Sequence, residues 1–131
     1  MDVENPKDKF ARLVEDALRL IPRRFRDAIQ NMVIVVEHEP SPALLKSMAM
    51  DEDETLFGLY EGTPLPERGA SYGNALPDRI TIYQSPIEED CDSDEEISYC
   101  VAETLIHEVG HYFGMTEEEI EHIEETYWRK A

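Results

Sequence analysis

The sequence predicts a small α+β domain, in which a mainly three-stranded sheet packs against an N-terminal helix, a histidine-containing helix and a C-terminal helix. Three observations support this prediction. Apolar residues recur at helical spacing near both ends of the chain, short β-branched or alternating runs lie between them, and no internal repeat is visible. The 131 residues are 41% apolar, which is enough to form the core of a single domain over residues 1–131.

The first third of the chain predicts two helices and a strand. Pro6 to Leu20 is amphipathic, and Pro22 ends this helix before a second short segment that runs to about Gln30. Met32 to Val36 is a β-branched run of strand length, which predicts a buried strand. The apolar face of the first helix contains Phe10, Leu13, Val14, Ala17, Leu18 and Ile21.

The middle of the chain predicts a short helix, two strands and a long loop. A helix is expected over Ala43 to Met48 and a strand over Leu56 to Tyr60. Glu61 to Leu76 contains three of the six glycines and two prolines, which predicts an irregular loop. Arg79 to Gln84 alternates apolar and polar residues and predicts a third strand, which could align an extended peptide if it lay at a sheet edge.

The C-terminal third predicts two helices joined by a sharp turn. The first runs from about Glu95 to Phe113, and Gly114 follows its last apolar residue as a left-handed terminator would. Thr116 has a glutamate three residues later, which predicts a capping box at the start of a helix over Thr116 to Arg129. The apolar residues Val101, Leu105, Val109 and Phe113 recur every four positions along the first of these helices.

The most informative segment is Ile106 to Gly114, which reads I-H-E-V-G-H-Y-F-G. His107 and His111 are four residues apart, so a helix places both imidazoles on one face. Glu108 lies beside the first histidine. Two imidazoles and an adjacent carboxylate are typical of zinc-dependent hydrolases, as two metal ligands and a base for water. An amphipathic helix with two surface histidines is the alternative interpretation.

Glu117 is the predicted third zinc ligand. It lies ten residues after His107, in the first turn of the last helix, where the turn at Gly114 would bring its carboxylate back to the histidines. In the alternative interpretation, Glu117 has a structural role and its charge stabilises the helix N-terminus. Glu118 and His122 remain alternative ligands, whereas a second isolated histidine, near Pro40, is interpreted as part of a loop.

The net charge of −18 argues against nucleic acid and anionic membranes as partners, because both would be repelled. Residues 86–131 contain 15 acids and two bases, so this segment, which includes His107 and His111, has a field that favours metal cations and basic peptides. A solvated acidic surface is the simpler explanation. The sequence shows no signal peptide, which favours a cytoplasmic protein with Cys91 and Cys100 reduced and without a metal role.

Four separated segments resemble the small bacterial zincin-like metallopeptidases. H-E-V-G-H-Y-F-G-M-T-E resembles the H-E-x-x-H-x-x-G-x-x-D signature of that family, and three other segments resemble its first strand, its central segment and the strand that follows. These segments are Asn31 to Glu37, Leu56 to Gly69, Pro77 to Tyr83 and His107 to Glu117.

The resemblance implies a minimal zincin fold with one Zn²⁺, in which His107 and His111 are ligands and Glu108 is the catalytic base. The third ligand position of the family, usually aspartate, falls on Glu117 in this sequence. The extra methylene lengthens the reach of this side chain by about 1.5 Å, so the backbone or the metal must shift to keep the bond. The longer relatives also have a methionine turn, and Met115 is too close to the motif for that role.

The leading functional hypothesis is zinc-dependent hydrolysis of peptide bonds, with Glu108 as the general base. A tyrosine or Arg68 from the glycine-rich region is a candidate for stabilising the oxyanion, and the tyrosines considered are Tyr60, Tyr72 and Tyr83. The alternatives are a non-catalytic metal-binding module with a regulatory or interaction role, and an acidic adaptor without metal. The sequence gives no indication of the oligomeric state.

Overall fold

The computed structural model describes residues 5–49, 56–62 and 78–129, with side chains up to residue 126. Within these residues the chain forms six helices and a three-stranded sheet, which confirms the predicted α+β class. The elements are α1 (Pro6–Leu18), α2 (Arg23–Ile29), β1 (Met32–Glu37), α3 (Pro42–Ser47), β2 (Gly58–Glu61), β3 (Asp78–Tyr83), α4 (Gln84–Asp90), α5 (Asp94–Tyr112) and α6 (Glu117–Arg129).

The sheet has the strand order β1-β3-β2. β1 runs parallel to β3, with Met32 opposite Asp78, and β2 runs antiparallel to β3, with Gly58 opposite Ile82. β3 is therefore the central strand, and both of its edges are occupied by neighbours. The hypothesis that this strand aligns a peptide by strand addition is wrong, because its backbone groups already bond to β1 and β2.

β1 is more exposed than the sequence predicts. Val33 is 48% exposed and Val36 is 40% exposed, and no residue of this strand is fully buried. β1 pairs only with β3 among the described strands. A β-branched run has the same composition in a buried strand and in an edge strand, so the sequence could not separate these two cases.

The core lies where α1 and α5 pack together over the sheet. Ser98 on α5 donates a hydrogen bond to the carbonyl oxygen of Leu13 on α1 at 3.0 Å, which fixes the two helices against each other. The central strand contributes Ile80 and Ile82, both fully buried. The helical side of the core contains Phe10, Leu13, Ala17, Phe25, Ile87, Val101, Leu105 and Val109.

Short-range hydrogen bonds define the start of α5. Ser93 accepts a bond from the backbone N–H of Glu96, and the Glu96 carboxylate accepts a bond from the backbone N–H of Asp92. These bonds satisfy backbone donors that a helix start leaves open. The helix that carries the histidines therefore begins at Asp94, one residue before the predicted start.

α4 is a helix that the sequence did not predict. It follows β3 without a connecting loop, so the strand ends at Tyr83 and the predicted strand residue Gln84 is helical. The signal in the sequence is Pro86, because proline fits the first turn of a helix, where its missing N–H needs no partner. Among the described helices, none has both the length and the apolar character that a membrane span requires.

Candidate metal centre

The two histidines lie in the last two turns of α5. The opposite side of this helix is buried in the core through Leu105 and Val109, so the helix cannot rotate without exposing them. The side chains of His107 and His111 are 36% and 39% exposed, and their ring centroids are 4.9 Å apart. Packing of the apolar face therefore presents both imidazoles to the same opening.

α5 ends in a tight left-handed turn. Gly114 has a φ of 76°, a conformation that glycine adopts readily. The N–H of Gly114 bonds to the carbonyl of His111 at 3.0 Å, and the N–H of Met115 bonds to the carbonyl of Gly110 at 3.0 Å. This pattern is a Schellman motif, as the glycine after the helix predicted. The chain reverses within two residues and returns toward the histidines.

The predicted capping box at the start of α6 is present. The N–H of Thr116 donates to a Glu119 carboxylate oxygen at 3.0 Å, and the N–H of Glu119 donates to the Thr116 hydroxyl at 3.1 Å. The first residue of α6 is Glu117. The cap thus fixes this residue at the start of the helix, on the turn that leads back to the imidazoles.

The Glu117 carboxylate lies between the two imidazoles. One of its oxygens is 3.2 Å from Nε2 of His107, and the other is 3.3 Å from Nε2 of His111. The structure thus brings together the three residues that the sequence proposed as ligands. Glu118 and His122 have exposed side chains, and the ion pairs of these histidines within the described part of the chain involve neither residue.

Gly110 allows α6 to approach this close. A Cβ atom built on Gly110 would lie 2.5 Å from Cγ1 and 2.7 Å from Cδ1 of Ile120. Ile120 is 1% exposed and lies three residues after Glu117, on the same side of α6. The absence of a side chain at Gly110 therefore helps to set the distance between the Glu117 carboxylate and the histidines.

Glu108 is buried and held by the sheet. It is only 9% exposed, and one of its carboxylate oxygens accepts a hydrogen bond from the backbone N–H of Tyr60 on β2 at 2.8 Å. No donor to its other oxygen is found among the described residues. Burial raises the pKa of Glu108 to about 7, and the nearby Glu117 charge adds to this effect. A carboxylate with this pKa can accept a proton near neutral pH.

The two histidines have opposite pKa shifts. Burial lowers the pKa of His111, and the positive charge of His107 lowers it further. The pKa of His107 is raised, chiefly by Glu124, whose carboxylate oxygen is 3.7 Å from Nδ1. We treat this contact as an ion pair, because 3.7 Å is too long for a strong hydrogen bond. A neutral imidazole such as that of His111 can ligate a metal directly.

Glu124 is a site residue that the sequence interpretation missed. The available signal was its spacing, because residues seven apart lie on the same face of a helix, and Glu124 is seven residues after Glu117. Its side chain is 24% exposed, whereas that of Glu117 is 68% exposed. One face of α6 thus directs two carboxylates toward His107.

The tyrosines considered for the oxyanion have different surroundings. Tyr83 is 2% exposed and forms part of the core, so it is not available to a substrate. The Tyr60 hydroxyl donates a hydrogen bond to Asp78 at 3.2 Å, and its ring contacts Tyr112 edge to face. Arg68 and Tyr72 lie outside the described residues.

A cavity of about 550 Å³ opens beside His107 and Glu108. It extends along α5 past Cys100 to Cys91 at the end of α4. Both cysteines are free thiols. Burial raises the pKa of Cys100 to about 12, so this thiol stays protonated at neutral pH.

The comparison with protein families identifies this arrangement. A family model described as zincin-like metallopeptidase matches residues 29–127, which include the three strands and the helices around the site. The chain belongs to the zincin-like metallopeptidase family. This assignment agrees with the resemblance found in the sequence and with the fold, a minimal zincin-like domain.

A solved structure supports the fold of this zincin-like chain. A conserved hypothetical protein from Thermo thermophilus is 22% identical, with a TM-score of 0.54. The match covers 82% of this chain and 94% of the other. At this identity the likeness concerns the fold alone. No curated protein matches the chain.

The donor set of the zincin-like site suits the zinc ion that the family implies. His107, Glu108 and His111 each offer a donor atom, and these atoms lie within 4.8 Å of one another. Imidazole nitrogens and carboxylate oxygens are common zinc ligands, and the half-exposed histidines leave one side open for a water or a substrate. The group can therefore hold a metal ion.

Proposed function

We propose that this protein is a zinc-dependent peptidase whose metal ligands are His107, His111 and Glu117. The distances of 3.2 and 3.3 Å between the Glu117 oxygens and the two Nε2 atoms support this ligand set. Two histidines and one carboxylate leave a position for water or substrate, whereas structural zinc sites are usually closed by four protein ligands. We further propose that it acts on peptides in the cytoplasm.

The observation that carries the proposal is the state of Glu108. A metal site that serves only stability does not need a buried carboxylate with an oxygen that lacks a protein donor. Glu108 is 9% exposed, its pKa is raised to about 7, and it lies beside both histidines. These properties are those of a general base rather than of a surface acid.

The proposed chemistry divides between the ion and the protein. Zinc would supply a Lewis acid that polarises the scissile carbonyl and lowers the pKa of a coordinated water toward about 7. As the oxygen of the attacking water bonds to the carbonyl carbon, Glu108 accepts a proton from this water. The same carboxyl then gives this proton to the leaving nitrogen as the C–N bond breaks. The Tyr60 N–H holds Glu108 in place through both steps.

A digest of a peptide library tests the proposal. Zinc-loaded wild-type protein is compared with Glu108→Gln, and Glu118→Gln serves as the matched control because its exposed side chain does not contact the histidines. We expect Glu108→Gln to keep its zinc and to lose about 10²-fold to 10⁴-fold in kcat/KM, while the control keeps full activity. Equal cleavage by all three proteins would refute the role of Glu108. Zinc binding without any cleavage would favour the non-catalytic module.

A further inference from the structure

The cavity beside the metal centre is located where a side chain of the substrate would lie. His107 and Glu108 form one end of its wall, so a group that fills the cavity lies next to the reacting atoms. Its volume of about 550 Å³ is within the range of ligand-binding pockets, about 300–1,000 Å³. Glu108 lines this cavity with a carboxylate that is nine-tenths buried and has one oxygen without a donor in the described region.

Apart from His107, the ionisable side chains described around the cavity are acids and thiols with one tyrosine. Among the described residues that line it, none is a lysine or an arginine. An isolated surface acid is well solvated, but a concave wall of like charges focuses the negative potential into the space between them. The acidic residues of the wall are Asp90, Glu96, Glu103, Glu108 and Glu124.

Glu103 and Glu124 both line this cavity, and no lysine or arginine pairs with either of them among the described residues. Burial raises the pKa of Glu103, and the charge of Glu124 raises it further. Within the described chain, Glu103 has no ion pair, and the only cationic group near Glu124 is His107. A positive charge bound in the cavity would relieve the repulsion between these two carboxylates.

The remaining wall suits an alkyl chain. Leu56, Phe57 and Thr104 line the same cavity. Lysine and arginine side chains combine a methylene stem, which packs on apolar groups, with a cationic end that carboxylates bind. A small metal ion would use the carboxylates but would leave the apolar wall without a role.

We infer that this cavity is the specificity pocket of the enzyme and binds a lysine or arginine side chain of the substrate, with Glu103 and Glu124 as the residues that recognise its charge. The inference rests on the proposed peptidase function and adds the class of substrate.

Binding measurements test the pocket separately from catalysis. The probes are fluorescent hexapeptides of alanine and glycine in which one lysine, or one norleucine of similar length, is moved through the six positions. Affinities are measured on zinc-loaded Glu108→Gln, which does not cleave them if the proposal holds. We expect lysine to bind about tenfold more tightly than norleucine at one position, and added salt to weaken this preference. Equal affinity for both side chains at every position would overturn the inference.

A matched pair of double variants locates the preference. Glu103→Gln with Glu124→Gln removes two carboxylates from the cavity wall, whereas Glu121→Gln with Glu125→Gln removes the same charge from exposed positions of α6 outside that wall. We expect the first pair to abolish the lysine preference and the second pair to keep it, with zinc content and thermal unfolding as checks on folding. A preference that survives the first pair would contradict the assignment.

Cleavage of the same peptides separates this inference from the proposed function. If wild-type protein cleaves the lysine and norleucine series equally, the pocket assignment fails and the peptidase proposal stands. If lysine is preferred in binding but no peptide is cleaved, the pocket assignment is supported and the peptidase proposal fails.

Discussion

Among the single residues of the site, Glu108 combines deep burial with a negative charge. Among the described residues, its carboxylate has one hydrogen bond, from the Tyr60 N–H, to compensate for the loss of solvent. Burial therefore raises its pKa from 4.5 to about 7. The same burial that makes the group a suitable base lowers the stability of the metal-free protein at neutral pH. Such conflicts between stability and activity are common at active sites.

The cost of the Glu108 charge is measurable in the metal-free protein. The unfolded chain ionises this carboxyl near 4.5 and the folded chain near 7, so stability is lost as pH rises between these values. Glu108→Gln has no charge and keeps an acceptor for Tyr60. We expect urea unfolding to show this variant more stable than wild type at pH 8, by up to about 3 kcal/mol, with the difference vanishing near pH 4. A variant of lower stability at pH 8 would contradict this explanation.

Neighbouring acids at the start of α6 have different predicted roles. Glu117 contacts both imidazoles, whereas Glu118 is exposed and does not contact them in the described structure. We expect Glu117→Ala to weaken zinc binding by about 100-fold or more, and Glu118→Ala to leave it within twofold, in a competition titration with a chelator. If the two variants lose zinc affinity equally, the contact of Glu117 with the imidazoles does not become a bond to zinc.

At the level of elements, the site depends on how α6 packs against α5. Two glycines control this packing: Gly114 turns the chain back, and Gly110 lets the side chain of Ile120 approach the helix. The metal motif thus contains its own docking position for the next helix. The Glu117 carboxylate reaches the histidines because the chain turns at Gly114 and α6 packs closely at Gly110.

Gly110→Ala tests this docking. The added Cβ would overlap Ile120, so α6 must move away and carry Glu117 with it. Alanine favours the helix by about 1 kcal/mol, whereas overpacking costs about 1–3 kcal/mol, so we expect a small loss of stability. We expect a larger effect on zinc affinity, a loss of about tenfold by chelator competition.

The double variant Gly110→Ala with Ile120→Ala provides the control, because it removes the Cγ1 and Cδ1 atoms of Ile120 that the new Cβ would overlap. Zinc affinity should recover toward the wild-type value, even though the smaller side chain lowers overall stability. If the single variant already binds zinc as well as wild type does, the packing at Gly110 does not set the ligand geometry.

Much of this arrangement could be predicted from local sequence signals. Helical spacing, the capping box at Thr116 and the glycine after α5 each depend on neighbouring residues, and they gave the two C-terminal helices with small errors at their ends. The position of Glu117 beside the histidines followed from the same signals.

The remaining features depend on contacts between distant segments. The order of the strands, which places β3 in the centre and β1 at an edge, cannot be derived from the composition of either strand. The hydrogen bond from Tyr60 to Glu108 joins residues 48 positions apart. The common cavity wall of Glu103 and Glu124 likewise depends on the packing of α5 against α6.

At the scale of the whole molecule, the charge of −18 and the site are connected. The C-terminal half, which contains α5 and α6, has most of the negative charge, and the five acids around the cavity belong to that half. A field of this sign attracts cations and repels nucleic acids. Binding a divalent ion would reduce the repulsion between these acids.

Metal analysis of purified protein tests the central claim most directly. After reconstitution with zinc and removal of excess ion, wild type and His111→Ala are compared by elemental mass spectrometry. We expect about one zinc per wild-type chain and well under half that amount in the variant, because one of three ligands is lost. Wild-type protein that retains no zinc, or a variant that retains as much as wild type, would contradict a metal centre at His107, His111 and Glu117.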